Sequence, residues 1–288
     1  SLISFFVQSL NFGIDFRGGT SIRTESSEPI NVAAYRNALS SLDLGDITIS
    51  EVFDPSFEDN QNVAMIRIQA QPGQEAATSI LVENSLQKLK EVNEDIKFVS
   101  VESVGPKVSG ELIRTAIIAV VLAISAVLFY IWIRFEWQFA VGAISALIHD
   151  VILTIGVFSL LQIKFDLAII AAILTIVGYS LNDTVVVFDR VRENLRKFKK
   201  RSLIEVMNLS INETMSRTVM TSVTTLLALI SLFVLGGDVI RGFVFAMIWG
   251  VVVGTYSSIF IASAILLWTG VKRDWSRSNA EAGTQVPQ

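Results

Sequence analysis

Five stretches of this chain are each long and apolar enough to cross a lipid bilayer: roughly 112–133, 138–161, 167–189, 217–235 and 243–268. A span needs about 20 mostly apolar residues. Without water to satisfy backbone N–H and C=O groups, such segments must be helices. Only 17% of the 288 residues are charged and 51% are hydrophobic, whereas soluble domains carry about 25% charged residues. The expected fold is therefore a polytopic α-helical membrane protein. The chain has no cysteine and one histidine, which excludes disulfides, thiolate catalysis and a Cys- or His-rich metal site. No catalytic residue, metal or cofactor is expected, and the chain reads as a non-enzyme.

Charge orients the spans. Residues 11–110 carry 15 acidic and 8 basic side chains, whereas 189–217 carry 8 basic and 4 acidic. Lysine and arginine collect in short cytoplasmic loops, so 190–216 is predicted to be a cytosolic basic loop, and the 271–288 tail, with Lys272-Arg273, is cytosolic too. No nucleic-acid partner is implied. Alternation then puts Arg134-Phe135-Glu136 inside, and 162–166, Gly236–Arg241 and the acidic region outside. Trp132, Trp137, Trp249 and Trp268 lie mostly near span ends, as an aromatic belt does. Residues 1–10 include the apolar run Leu2-Ile3-Ser4-Phe5-Phe6-Val7 and read as the outer end of a truncated first transmembrane helix.

Between the stub and the spans, 11–110 reads as an extracytoplasmic α+β domain with its linkers. Thr20–Thr24 begins a strand after Gly18-Gly19, and Asn31–Leu42 has helical periodicity. Ile47–Phe53 and Val63–Gln69 alternate apolar and polar. Gln74–Val92 is amphipathic, and Ile96–Val101 closes the unit as a strand. The order is βαββαβ, the ferredoxin-like pattern, which by itself names no function.

Ionisable groups inside a span cost about 2.5–3.5 kcal/mol on insertion scales, and they usually face the bundle interior. Asp183 follows Asn182 in the third span, with Tyr179 and Ser180 one turn before it. It either pins helix packing or takes part in an ion pathway. Asp189, beside the basic loop, reads as an ion-pair residue. Arg217, Thr221 and Thr225 recur every four residues at the start of the fourth span, as a polar stripe that a headgroup anchor does not need. Asp150 sits in the second span on a face of small residues with Gly142, Ala146 and Thr154. His149 beside it points about 100° away in a helix. Asp183, Arg217, Asp150 and Asn182 are the candidate ion-relay residues, with His149 and Thr221 as secondary candidates. In the last span Gly242, Ala246, Gly250, Gly254, Ser258 and Ala262 recur at every fourth position, a face on which another helix approaches closely.

Two motifs carry a family resemblance. Asn11-Phe12-Gly13-Ile14-Asp15-Phe16-Arg17-Gly18-Gly19-Thr20 resembles the signature after the first span of the SecD/SecF family of bacterial protein-export membrane proteins, a branch of the resistance–nodulation–division superfamily. The run Gly178-Tyr179-Ser180-Leu181-Asn182-Asp183-Thr184, continuing through Val185-Val186-Val187-Phe188-Asp189-Arg190 to Val191-Arg192-Glu193-Asn194, resembles the same family's fourth span. Arg217-Thr218 with Thr221-Ser222 matches the next stretch. The resemblance implies an accessory subunit of the Sec machinery in the bacterial inner membrane. Its partners would be SecD, the SecYEG channel and the unfolded preprotein, and it would use the proton or sodium gradient to drive translocation. It also ties Asp183 and Arg217 to ion transport, and it matches Asp150 to a frequent acidic position.

Two other classes stand beside this one. A small-molecule exporter of the resistance–nodulation–division type needs large outer domains, and this chain has one small one. An intramembrane aspartyl protease needs two facing aspartates, and Asp150 and Asp183 lack the accompanying Gly-x-Gly-Asp motif.

Overall fold

The computed structural model describes residues 7–42, 44–54, 57–58, 60–70 and 79–271. Most of the proposed stub and the tail from 272 onward lie outside the described residues, as do the first residues of the predicted 74–92 helix. Among the described residues, five helices are long and apolar enough to cross a membrane: Val108–Arg134, Trp137–Leu161, Leu167–Lys197, Leu203–Leu235 and Val239–Thr269. The chain divides into two compact units. One holds Ser1–Ile124, Ile152–Thr175 and Leu226–Trp249; the other holds Ser125–Val151, Ile176–Thr225 and Gly250–Gln288.

The first unit contains a small sheet-bearing domain. Its elements are β1 (Asn11–Phe12), α1 (Ile14–Arg17), β2 (Gly19–Ser26), α2 (Val32–Ser40), β3 (Ile47–Val52), β4 (Asn62–Gln69), α3 (Ser79–Lys90) and β5 (Lys97–Val104). From β2 onward the order is the predicted β-α-β-β-α-β. The four strands lie in the order β3-β4-β2-β5, and each neighbouring pair is antiparallel. The alternation in the sequence sets one face: Ile22, Ile49, Ile66 and Ile68 point into a core closed by Tyr35 and Leu39 of α2 and Leu89 of α3. The Asn31 side chain caps α2 by accepting from the Ala34 N–H at 3.0 Å, one of the orphan donors of a helix start. Gly18 has φ +71° and Gly19 φ +133°, and a Cβ on Gly19 would meet the Ile68 carbonyl. Only glycine tolerates such a turn into β2.

The same unit ties the chain's beginning to a later connection. β1 pairs in parallel with β6 (Lys164–Phe165), a strand inside the 162–166 connection that periodicity does not reveal. Asn11 donates to the Gln162 carbonyl at 2.9 Å, and the Leu167 N–H donates to the Asp15 carboxylate at 3.2 Å. Phe12, Phe16 and Phe158 pack around Phe165 with ring centroids about 6 Å apart.

The second unit contains parts of α4 (Pro106–Arg134), α5 (Trp137–Leu161), α6 (Leu167–Lys197) and α7 (Leu203–Leu235). It also holds the end of α8 (Asp238–Tyr256), a π-helical turn at Ser257–Ile261 and α9 (Ala262–Thr269). Phe135, Phe139, Phe188, Val191, Leu195, Met207 and Leu266 form its core. One expectation is corrected here. The 190–216 segment is not a loop: α6 continues to Lys197 and α7 already begins at Leu203. A reciprocal cap starts α7, because the Ser202 N–H donates to Glu205 Oε2 at 3.0 Å and the Glu205 N–H donates to Ser202 Oγ at 3.2 Å. This is the Ser-x-x-Glu capping box. Positive charge marks the side of the membrane and says nothing about local structure, so the charge pattern alone hid these helical turns.

Candidate functional site

Polar side chains from α5, α6, α7 and the π turn converge within the second unit. Asp150 has no solvent exposure. Its Oδ2 accepts from Ser180 Oγ at 2.7 Å and from Ser257 Oγ at 2.8 Å. Its Oδ1 lies 3.1 Å from His149 Nδ1. Adjacent helical side chains diverge, yet the Nδ1 atom sits close enough to its own backbone for the ring to turn back onto its neighbour. Next to this group, Thr184 Oγ1 lies 2.9 Å from Ser258 Oγ, and Ser258 Oγ lies 3.0 Å from the Ser180 carbonyl. The π turn carries both Ser257 and Ser258, and such wide turns are frequent at functional positions.

Glycine makes this approach possible. A Cβ on Gly254 would sit 3.1 Å from Ser180 Cβ and 3.6 Å from Asp150 Oδ2, and one on Gly250 would run into the Ile176 side chain. On Gly142 it would come 3.0 Å from the Ala262 carbonyl. Gly242, within the first unit, has ordinary room, with Ile169 Cδ1 3.5 Å away. Ala246 and Ser258 are fully buried. The small-residue face of the last span thus meets α6 of this same chain, a neighbour that spacing alone leaves unidentified.

Asp183 stands in a different setting. It is 3% exposed, and among the described residues its Oδ1 accepts only a long 3.4 Å bond from Asn182 Nδ2. Its Oδ2 is buried and has no hydrogen-bond partner among the described residues. A buried acceptor in this state is rare in native structures. Arg217 is the cation whose charge acts on Asp183, but the two form no ion pair within 4.0 Å among the described residues. Arg217 instead lines a cavity of about 260 Å³ with Val186, Asp189, Arg190, Glu193, Glu213 and Thr214. Around it runs an ionic collar: Arg134 to Asp189 at 3.0 Å, Arg190 to Glu193 at 3.0 Å and Arg190 to Glu213 at 3.5 Å. Asn194 donates to Glu213 at 2.8 Å and to Ser210 at 3.0 Å.

Thr221 is not brought to the carboxylates. Its hydroxyl donates to the Thr218 carbonyl of its own helix at 3.0 Å, a local bond common for threonine in helices. The buried face of α7 is one residue away from the Arg217–Thr221–Thr225 stripe: it comprises Val206, Met207, Ser210, Thr214, Thr218 and Ser222. Ser222 bonds Thr255 at 2.6 Å, and Tyr179 reaches Thr225 at 3.4 Å. Ser257 is therefore a site residue that the sequence argument passes over, while Ser180, Thr184 and Ser258 enter it only as motif or helix-packing positions and not as partners of this polar cluster. Their one legible signal is serine or threonine repeating at helical spacing on faces otherwise small or apolar.

Long apolar helices with two buried carboxylates, together with a compact sheet domain, define a class, the polytopic membrane proteins. Known proteins narrow it. Residues 84–272 match the family model described as "Protein export membrane protein SecD/SecF, C-terminal", and residues 3–30 match the "SecD/SecF GG Motif". The protein translocase subunit SecF of Cereibacter sphaeroides is 61% identical over 285 residues, 99% of this chain and 88% of the relative. The SecF subunit of Vibrio alginolyticus is 42% identical, over 95% of this chain and 85% of the relative. A crystal structure of SecDF from Thermus, described as a translocon-associated membrane protein, superposes with a TM-score of 0.80 at 36% identity. SecDF in a super-membrane-facing form gives 0.66. This chain spans 36% of the length of each SecDF chain. The chain belongs to the SecD/SecF family of protein-export membrane proteins, as a multi-pass membrane protein with an accessory role in Sec export. The relatives bear translocase names, which leaves the small-molecule exporter without support.

Proposed function

We propose that this chain couples an ion gradient across the bacterial inner membrane to the outward movement of unfolded preproteins, acting with SecD beside the SecYEG channel and without enzymatic chemistry of its own. The observation that carries the reading is Asp183, a sealed carboxylate with one oxygen unpartnered among the described residues, held near an arginine that it does not contact. A carboxylate beside an arginine has two protonation states with different local electrostatics, and these bias a two-state membrane element. One charge crossing the potential gains about 2.3 kcal/mol per 100 mV, which is comparable to the cost of moving a small domain between two arrangements. Asn182 holds the Asp183 carboxylate, and Asp150 provides a second acidic station. Asp183→Asn keeps size and hydrogen bonding but removes the titration. Expression of this variant should be normal and gradient-stimulated export in membrane vesicles abolished. Full export by the variant would move the pathway away from Asp183.

The sheet domain faces the extracytoplasmic side in this reading, because only that orientation puts the basic clusters of 190–216 inside. The chain has no cysteine, so a single one introduced at exposed Ser50 reports cleanly. Ser50→Cys should react with an impermeant thiol reagent in intact spheroplasts. Labelling only after lysis would reverse the topology.

A further inference from the structure

We infer that Asp150 and His149 form a proton-holding pair distinct from Asp183, in which Ser180 and Ser257 fix the carboxylate and His149 is its proton port. The inference rests on gradient coupling for its use in export, although its chemistry stands by itself. Asp150 is completely enclosed, whereas the His149 side chain is 28% exposed. Both hydroxyls fall on Oδ2, which leaves Oδ1 to the imidazole. Ser257 Oγ also lies 3.1 Å from the Gly254 carbonyl. It therefore keeps an acceptor when the carboxylate becomes a carboxylic acid, and the cage survives either state. Gly254 brings the last helix close to the same oxygen, since a Cβ there would stand 3.6 Å from Oδ2.

The surroundings favour a proton over a metal cation. Serine oxygens at 2.7 and 2.8 Å stand at hydrogen-bond distance from Oδ2, so an oxygen-ligated cation would have to push them apart and turn both hydroxyls around. The α6 helix presents Asp183 one turn beyond Ser180, and Tyr179, whose hydroxyl reaches Thr225. The π turn and the end of α8 offer Gly254, Ser257 and Ser258 and, among the described residues, no charged group toward Asp150. His149 is thus the titratable group in direct contact. The step balances simply. A water-borne proton binds the free Nε2 of His149, and the Nδ1 proton passes to Asp150 Oδ1. The ring is left neutral in its other tautomer, and the carboxylate has become the acid. Release reverses both transfers.

The test is infrared difference spectroscopy of the full chain in lipid nanodiscs, titrated with pH, with sodium chloride as the competing probe. One carboxylic acid C=O band should appear on acidification, vanish in Asp150→Asn and persist in Asp183→Asn. His149→Gln should keep the band but move its midpoint by at least about one pH unit. If Asp150→Asn does not fold, Ser257→Ala, which removes one donor from the same oxygen, should shift the band's frequency without abolishing it. A band that is absent, independent of pH or retained in Asp150→Asn would overturn the pair. So would loss of the band on adding sodium at constant pH. Full export by Asp183→Asn with the Asp150 band behaving as expected would sink the Asp183 coupling step alone, so the two failures are distinguishable.

Discussion

Asp150 and Asp183 are both sealed from solvent within one helical unit, yet their surroundings are opposites. Asp150 receives two serine hydroxyls and an imidazole from three separate stretches of chain. Asp183 receives one long amide bond from its own neighbour and leaves an oxygen unmatched among the described residues. A satisfied buried network rigidifies the structure, whereas a half-satisfied polar group carries an unmet desolvation cost. The first arrangement suits a station that keeps one geometry in both protonation states. The second suits a group whose environment has to change, because any motion that supplies a partner lowers its free energy. Arg217, lining a cavity without an ion-pair partner within 4.0 Å among the described residues, is the cation placed to be that partner.

The comparison breaks most visibly by truncation. Asp150→Ala strips the acceptor from Ser180 and His149, while Ser257 retains the Gly254 carbonyl at 3.1 Å. Each buried donor left without a partner costs about 1–3 kcal/mol. Asp183→Ala removes a poorly matched acceptor and strands only the amide of Asn182, an exposed residue that water can satisfy. Thermal unfolding in detergent should therefore place Asp150→Ala about 2 kcal/mol or more below Asp183→Ala, with Asp183→Ala close to the parent chain. Equal midpoints would show that the donors around Asp150 contribute nothing.

How far the site is legible without coordinates depends on what kind of signal each part emits. The spans are legible because length and apolarity are local properties. The sheet is legible because alternation is local too: Ile22, Ile49 and Ile66 announce one face. The Asp183 neighbourhood is marked by a charged residue where lipid is expected. The Asp150 cage is not legible, since Ser180 and Ser257 lie far from Asp150 in the chain and a serine in a span has several bland explanations. Spacing on α7 groups Arg217 with Thr221 and Thr225, but packing against neighbouring helices selects Ser210, Thr214, Thr218 and Ser222. A four-residue repeat fixes a stripe's direction along a helix, and only tertiary contacts decide which stripe is buried.

Glycine substitutions sharpen the comparison through smaller effects, because they reach the Asp150 cage without touching the neighbourhood of Asp183. Gly250→Leu has the larger effect of these. A Cβ there already collides with the Ile176 side chain, and overpacking a tight contact costs about 1–3 kcal/mol. Gly254→Ala is subtler. Its methyl would press Ser180 at 3.1 Å, tighter than relaxed van der Waals contact, and approach Asp150 Oδ2 at an ordinary 3.6 Å. Ser180 must move by a few tenths of an ångström, which lengthens its 2.7 Å bond to Asp150 while leaving Asn182 and Asp183 on the other side of their turn. Gly242→Ala is the control, since its methyl would meet only Ile169 at 3.5 Å. The expected order of unfolding midpoints is Gly242→Ala near the parent, Gly254→Ala lower by less than about 1 kcal/mol, and Gly250→Leu lowest. The discriminating readout is the infrared band assigned to Asp150, which Gly254→Ala should shift and Gly242→Ala should leave in place. If both glycines give the same band, Ser180 is not held by the approach of the last helix, and the rigidity ascribed to Asp150 must come from Ser257 and His149 alone.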